Sequence, residues 1–251
     1  MIQKLNLRIL TQFRDDLPAR LSMRTKKLIL DEVRTFLRWL HAGGDLEVVP
    51  PFPAVKVPRP EKKWMLDQDW RKVLQEILEL HRPIFTFMRL YGVRDGEARA
   101  LKWRDIGKVE GERTIKIRRT WSGYELMEGC KSGSDREFFL EDDCGIPASP
   151  KVVSLEGFIF TKPNGQPYSN SSLTKIWRKA VKAADVPYVS IKQATRVSFG
   201  FRKVAEGATY EEVGAVLGHR NVSTTQRYYA GVELEQMRKT IRGRTQTGTK
   251  S

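Results

Sequence analysis

The stretch that decides the reading is Leu217-Gly218-His219-Arg220-Asn221-Val222-Ser223-Thr224-Thr225-Gln226-Arg227-Tyr228. A histidine follows a glycine at the end of an apolar segment, and a tyrosine stands nine residues beyond it. Working outward, Arg196 lies 23 residues before His219, and Arg94 lies 102 residues before Arg196. Two arginines, a histidine and a tyrosine at these intervals suggest a phosphate clamp facing a tyrosine nucleophile. A phosphodiester is anionic and repels nucleophiles, and attack adds negative charge to its non-bridging oxygens. Guanidiniums hold such oxygens by paired, charge-assisted hydrogen bonds and stay charged at any working pH. One preorganised donor of this kind is worth roughly 3–4 kcal/mol in comparable oxyanion sites.

Composition agrees with a polyanionic partner. The 251-residue chain holds 45 Lys+Arg against 30 Asp+Glu, a formal net charge of +15. The excess is present on both sides of a proline-rich stretch, as expected of a protein that grips nucleic acid with two parts. With 40% hydrophobic residues the chain is long enough to bury a core in one or two domains. Cys130 and Cys144 are the only cysteines, with no C-x-x-C pair, so neither a zinc site nor a disulfide framework is indicated. The N-terminus lacks an apolar signal-peptide core. The most apolar short stretch, Pro83-Ile84-Phe85-Thr86-Phe87-Met88, is too short to cross a bilayer. The expectation is a cytoplasmic protein, prokaryotic or viral in its host cell, with no membrane partner.

Prolines at 50, 51, 53, 58 and 60 mark residues 49–63 as a linker, because proline donates to no ladder and biases its predecessor toward extended backbone. Before it, residues 1–48 have room for about two helices. Ile29, Val33, Phe36, Leu37 and Leu40 form an apolar stripe that Gly43-Gly44 ends. After it, in residues 64–251, Asp67 is a candidate N-cap for a helix with Trp70, Val73, Leu74, Ile77 and Leu78 on one face. A second apolar helix spans about 83–91, and a third starts near Gly96. Thr114–Trp121 alternates as a strand with Ile115 and Ile117 on one face, and Arg136–Leu140 and Gly157–Phe160 are further short strand candidates. Leu173, Ile176, Trp177, Ala180, Val181 and Ala184 mark a helix entered through Asn170 or Ser171. Thr209-x-x-Glu212 and Ser223-x-x-Gln226 read as capping boxes, the first helix ending at Gly218. The fold class is mainly α with a small antiparallel β-sheet (α+β). A short apolar stripe, Val232, Leu234, Met237 and Ile241, predicts a tail helix over about 231–243.

Several segments match one family in order and spacing. Tyr91-Gly92-Val93-Arg94-Asp95-Gly96-Glu97 through Leu101-Lys102-Trp103-Arg104-Asp105-Ile106 resembles the first arginine box of the tyrosine recombinases, the phage-integrase family. Lys131-Ser132-Gly133-Ser134-Asp135-Arg136 through Leu140 resembles its lysine hairpin. Gln193-Ala194-Thr195-Arg196-Val197-Ser198-Phe199 resembles its second arginine box, and Leu217-Gly218-His219 through Tyr228 its histidine and nucleophile segment. Residues 61–231 thus look like the family's catalytic domain, and residues 1–48, more weakly, like the end of its core-binding domain; whether that segment is whole stays open.

The resemblance implies a site-specific DNA recombinase or integrase. Tyr228 attacks phosphorus to form a 3′-phosphotyrosyl ester and free a 5′-hydroxyl, with Tyr229 as the local rival. Arg94 and Arg196 clamp the phosphate, and His219 donates to it. Lys131 protonates the leaving oxygen, with Lys116 as the fallback, and Glu97 is an accessory residue that orients a neighbour. Where the family usually has His or Lys three residues before the second arginine, this chain has Gln193. It is counted with the catalytic set as an amide that hydrogen-bonds the phosphate or the tyrosine. It cannot take the tyrosine's proton, so the general base is open; Lys192 substitutes if the backbone shifts. The resemblance implies no cofactor and no metal. Its partners are double-stranded DNA and further copies of the chain, as a homo-tetramer on DNA in which the tail helix packs on its own domain or is exchanged. A type IB topoisomerase-like nicking and resealing enzyme, and a catalytically inactive DNA-binding relative, are the alternatives.

Overall fold

The computed structural model describes residues 4–58, 63–129, 135–146, 154–219, 221, 223, 225, 226 and 229. The chain divides into two compact units, residues 1–61 and 62–251. In the first, Asn6 caps α1 (Leu7–Asp16) by accepting from the Ile9 N–H, and Ser22 caps α2 (Met23–Ala42) by accepting from the Thr25 N–H. Leu37, Leu40 and Leu46 make its core, with Leu5, Val33, Val49 and Phe52 packed against them. The proline-rich stretch is therefore not bare spacer over its first residues: Val49 and Phe52 complete the core, and Arg34 covers the Phe52 ring at 4.7 Å. Phe36, expected in the buried stripe, is 53% exposed and stacks on Trp39, while Leu30 is buried.

The second unit is mainly helical with two small antiparallel sheets. Leu66, not Asp67, is the N-cap of α3 (Asp67–Glu76). The Asp67 carboxylate instead receives the buried Arg89 guanidinium at 2.5 Å, a partner 22 residues away that local pattern does not show. Trp70, Val73 and Ile77 are buried as the stripe predicts, but Leu78 is exposed because the helix ends before it. Pro83 stands in the first turn of α4 (Arg82–Tyr91), which stops at Gly92 in the left-handed region, φ 63°. A Cβ there would sit 2.7 Å from Leu217, so packing and backbone both require glycine. Then come α5 (Asp95–Arg99) and the strands β1 (Ile106–Val109), β2 (Glu112–Ile117), β3 (Arg119–Ser122), β4 (Glu125–Glu128) and β5 (Arg136–Phe139).

Strand order is β1-β2-β5 in one sheet, with Ile115 opposite Phe138 and Ile117 opposite Arg136, and β3-β4 form a separate hairpin. The single strand expected over 114–121 is thus two strands in different sheets. The side chains of Ile115 and Ile117 are fully buried on the shared face. Gly157–Phe160 is not a strand: Phe158 makes one isolated bridge to Lys102, too little pairing to extend a ladder.

The helix α6 (Asn170–Ala183) is capped by Ser169, one residue before the expected position, through reciprocal bonds with Ser172. Its Trp177 is wholly buried against Phe85 and Trp70, with ring centroids 5.8 and 5.7 Å away. Each such side chain contributes about 1.5–3 kcal/mol of burial. Next are α7 (Ser198–Ala205) and α8 (Tyr210–Leu217). The latter is entered through the Thr209/Glu212 capping box and stopped by Gly218 at φ 64°. A second core of Phe199, Phe201, Val204, Val213, Leu217 and Tyr229 joins these two helices. Ser223 is already helical and donates its N–H to the Asn221 side chain, so it is not the residue that precedes this helix. The expected tail helix over 231–243 lies outside the described residues. Among the described residues no helix is long and apolar enough to cross a membrane.

Candidate active site

Arg94 and Glu97 are placed by the first turn of α5. Glu97 is 1% exposed and reaches back to accept the Arg94 N–H at 2.9 Å and the Arg94 guanidinium at 2.6 Å. Its other flank meets Arg136 at the start of β5, Nη2 to Oε2 2.5 Å, an ion pair whose approach lies off the N–H axis. Arg136 also donates to the Val216 carbonyl at 2.9 Å. Burial alone would raise the Glu97 carboxyl, but Arg136 and then Arg94 outweigh it and hold it below the ordinary carboxylate range. The carboxylate is therefore charged, and it fixes the pose of the half-exposed Arg94 side chain.

Arg196 comes from the opposite side, within a five-residue π turn, 193–197, that runs into α7. Its buried guanidinium donates to the Gly92 carbonyl at 3.0 Å and the Leu217 carbonyl at 2.5 Å. These are terminal carbonyls of α4 and α8, left without helical partners and carrying the negative end of each helix dipole. Burial, then the neighbouring charge of Arg94, lowers the Arg196 pKa to about 10, so it remains protonated at pH 7.

Side chains add to the backbone bonds of this π turn, whose Gln193 carbonyl also accepts the Ser198 N–H. The Gln193 carbonyl accepts from the Ser198 hydroxyl at 2.8 Å, and the Ala194 carbonyl accepts from buried Arg89 at 2.5 Å. The Ser198 hydroxyl in turn receives the Met65 N–H. Sequence reading found Arg196 but not the irregular turn that presents it, because one extra residue per turn leaves the apolar periodicity of a short segment nearly unchanged.

The turn has a consequence for Gln193. Its side-chain Oε1 caps the start of its own helix, accepting from the Ser190 N–H at 2.9 Å and the Ser190 hydroxyl at 2.8 Å. A pocket of about 240 Å³ opens between the two arginines, and Lys192, not Gln193, lines it with Arg94, Arg196, Val93, Ile191 and Thr195. Asp95 also borders it and is held by Asn170 at 2.8 Å.

His219 follows the left-handed Gly218, and its N–H is received by the Gly214 carbonyl. Its Nδ1 lies 2.8 Å from the buried Thr225 hydroxyl. Burial first, then the positive charges of Arg196, Arg94, Lys192 and Arg136, lower the ring's pKa to about 4, so it is neutral at pH 7. The ring therefore lies within electrostatic reach of Arg94, Arg196 and Lys192, the three cations that line the pocket.

Of the residues singled out from sequence, the structure thus gathers Arg94, Glu97, Arg196 and His219, and leaves Gln193 committed to Ser190. Lys131 and Tyr228 lie outside the described residues. Lys116 projects from β2, partly exposed, with Glu137 at 3.4 Å. Tyr229 is 2% exposed and packs edge-on to Phe201 at 5.3 Å, a core position with no access for a DNA strand. Arg136 and Thr225, which hold Glu97 and His219, were not legible as site residues because their partners are far off or on another element.

The model of the phage integrase family matches residues 63–234. The chain is 29% identical over 227 residues to y4rF of Sinorhizobium fredii, named as an integrase/recombinase, covering 81% of this chain and 50% of that protein. It is 24% identical over 255 residues to a tyrosine recombinase XerC-like protein of Caldanaerobacter subterraneus subsp. tengcongensis, covering 86% and 64%. The chain therefore spans between half and just under two thirds of the length of these relatives. Among solved structures, the Tn1549 transposon integrase in complex with a circular intermediate DNA is similar with a TM-score of 0.76 at 17% identity, over 94% of this chain and 86% of that one. The XerH site-specific recombinase bound to a palindromic difH substrate is similar with a TM-score of 0.70 at 16% identity, over 95% and 73%. At these identities the structures establish the shared fold.

Proposed function

Because the chain belongs to the phage integrase family, we propose that it cuts and rejoins double-stranded DNA as a site-specific recombinase. The observation that carries this reading is the pocket shared by Arg94 and Arg196, with neutral His219 within electrostatic reach of both. Arg94 and Arg196 neutralise the two non-bridging oxygens of the scissile phosphate. With the Thr225 hydroxyl donating to Nδ1, the His219 ring keeps its proton on Nε2 and offers it as a third donor. Glu97 orients Arg94 and is itself oriented by Arg136.

The Tyr228 oxygen bonds to phosphorus as the bond from phosphorus to the 5′-oxygen breaks. The tyrosine proton leaves to solvent or a base, and the 5′-oxygen takes a proton from Lys131. One ester replaces another, so the strand is resealed by the reverse attack without an external energy source. A formal net charge of +15 suits a duplex partner, and binding weakens steeply with salt as phosphate contacts release counterions. Assembly as a homo-tetramer on two DNA sites, with exchange of the tail, and action in the cytoplasm complete the proposal.

Incubating the protein with nicked genomic fragments and sequencing DNA that stays attached after denaturation tests the chemistry and finds the site together. Covalent DNA is expected with the wild type and none with Tyr228→Phe. No adduct from the wild type overturns the reading in favour of a non-catalytic DNA-binding protein. Relaxation of a supercoiled circle without exchange between two labelled duplexes favours a topoisomerase-like enzyme instead.

A further inference from the structure

We infer that Lys192 supplies a third side-chain cation to the phosphate held by Arg94 and Arg196, in the place that Gln193 would occupy on a regular helix. The inference deepens the proposed function and rests on its reading of the pocket as an anion site. In an α-helix, at 100° per residue, residues three and four positions before Arg196 would flank it at about 60° and about 40°. A π turn needs about 4.4 residues per revolution, or about 82° per residue. Residue 193 then lies about 115° away from Arg196 around the axis, and residue 192 only about 30° away. The π turn covers 193–197, so it rotates Gln193 off the face that carries Arg196 and leaves Lys192 on it.

Three further observations agree. Lys192 lines the pocket between the arginines and Gln193 does not. The Gln193 Oε1 already accepts two bonds from Ser190. The charge of Lys192 is among those that suppress protonation of His219, so it lies within electrostatic reach of that ring. Among the described residues Lys192 has no ion-pair or hydrogen-bond partner and it is exposed, so its ammonium is available to an incoming anion. An ammonium is a compact, rotatable point charge, suited to follow a phosphate whose oxygens shift during transfer.

Orthovanadate, which takes the five-coordinate geometry of a phosphoryl group in transfer, is the probe, with binding to the full chain followed by vanadium NMR. Lys192→Met is expected to weaken binding about tenfold, the value of one charge-assisted hydrogen bond. Lys192→Arg should stay within about threefold of the wild type, and Gln193→Ala within about twofold, by the same reasoning. Unchanged circular dichroism and thermal midpoint in Lys192→Met establish that the exposed substitution leaves the fold intact. Arg94→Ala separates the two levels of the argument. Loss of binding in Arg94→Ala with none in Lys192→Met overturns the role of Lys192 alone. Binding that is indifferent to Arg94→Ala, or absent from the wild type, overturns the anion-site reading and this inference with it. A loss in Gln193→Ala equal to that in Lys192→Met shows that the turn does not discriminate between them.

Discussion

Replacing Gly200 by alanine should destabilise the protein, although alanine is the better helix former. Gly200 lies in the middle of α7, where glycine costs about 1 kcal/mol relative to alanine. A Cβ at this position would stand 2.1 Å from Tyr229 Cζ and 2.3 Å from its hydroxyl oxygen. The ring is rigid, 2% exposed and held edge-on by Phe201, so it cannot give way by a small rotation. Either the core is overpacked, at about 1–3 kcal/mol, or the ring is expelled, losing about 1.5–3 kcal/mol of burial. Subtracting the helix gain of about 1 kcal/mol leaves a net loss of up to about 2 kcal/mol. The decisive comparison is a double-mutant cycle by urea denaturation. With Tyr229→Ala already in place the obstruction is gone, and Gly200→Ala should become stabilising by up to about 1 kcal/mol. A sign reversal between the two backgrounds is the expected result; a stabilising Gly200→Ala in the wild type would refute the reasoning. Tyr229 is the covalent neighbour of Tyr228, so the single variant should also lose more strand cleavage than DNA binding.

Two further tests address the charged site. Glu97→Gln leaves Arg136 buried without its counter-charge and should cost about 3 kcal/mol in urea denaturation, in the range for breaking a buried pair; a loss under about 1 kcal/mol contradicts the assigned role. His219 has its pKa lowered to about 4 in the folded protein, below the ordinary value of 6.5, so the unfolded chain takes the proton first. Stability is thus lost as pH falls from 6.5 toward 4, and after allowance for solvent screening the wild type should lose about 1–2 kcal/mol more than His219→Gln over that window. Parallel pH curves for the two proteins would count against the buried, cation-flanked histidine described above.

Much of the architecture was readable where a local rule governs it. The Thr209/Glu212 box and Gly218 bound α8 because capping is decided within four residues. Ile115 and Ile117 were readable because alternation is a local signal. Errors fell where a distant partner decides. Asp67 has the right side chain for a cap but answers Arg89, and the 114–121 strand breaks at Arg118 because its two halves join different sheets. At the site, Arg94, Arg196 and His219 stand in recognisable local words. The network that tunes them does not: Arg136 reaches Glu97 from 39 positions away, and the π turn leaves no trace in residue type. The substitution of Gln193 was visible in sequence, but only backbone geometry indicates which neighbour faces the pocket in its stead.

The two carbonyls that receive Arg196 give this residue a double employment. It ties the end of α4 to the end of α8, so a chain selected only to keep its shape would retain it after the chemistry had gone. Lysine could not replace it, since one ammonium cannot span both carbonyls in the plane that a guanidinium does. In descendants of this fold that have stopped cutting DNA, the arginine should therefore outlast His219 and Tyr228, and its presence in a sequence is a weaker sign of activity than theirs.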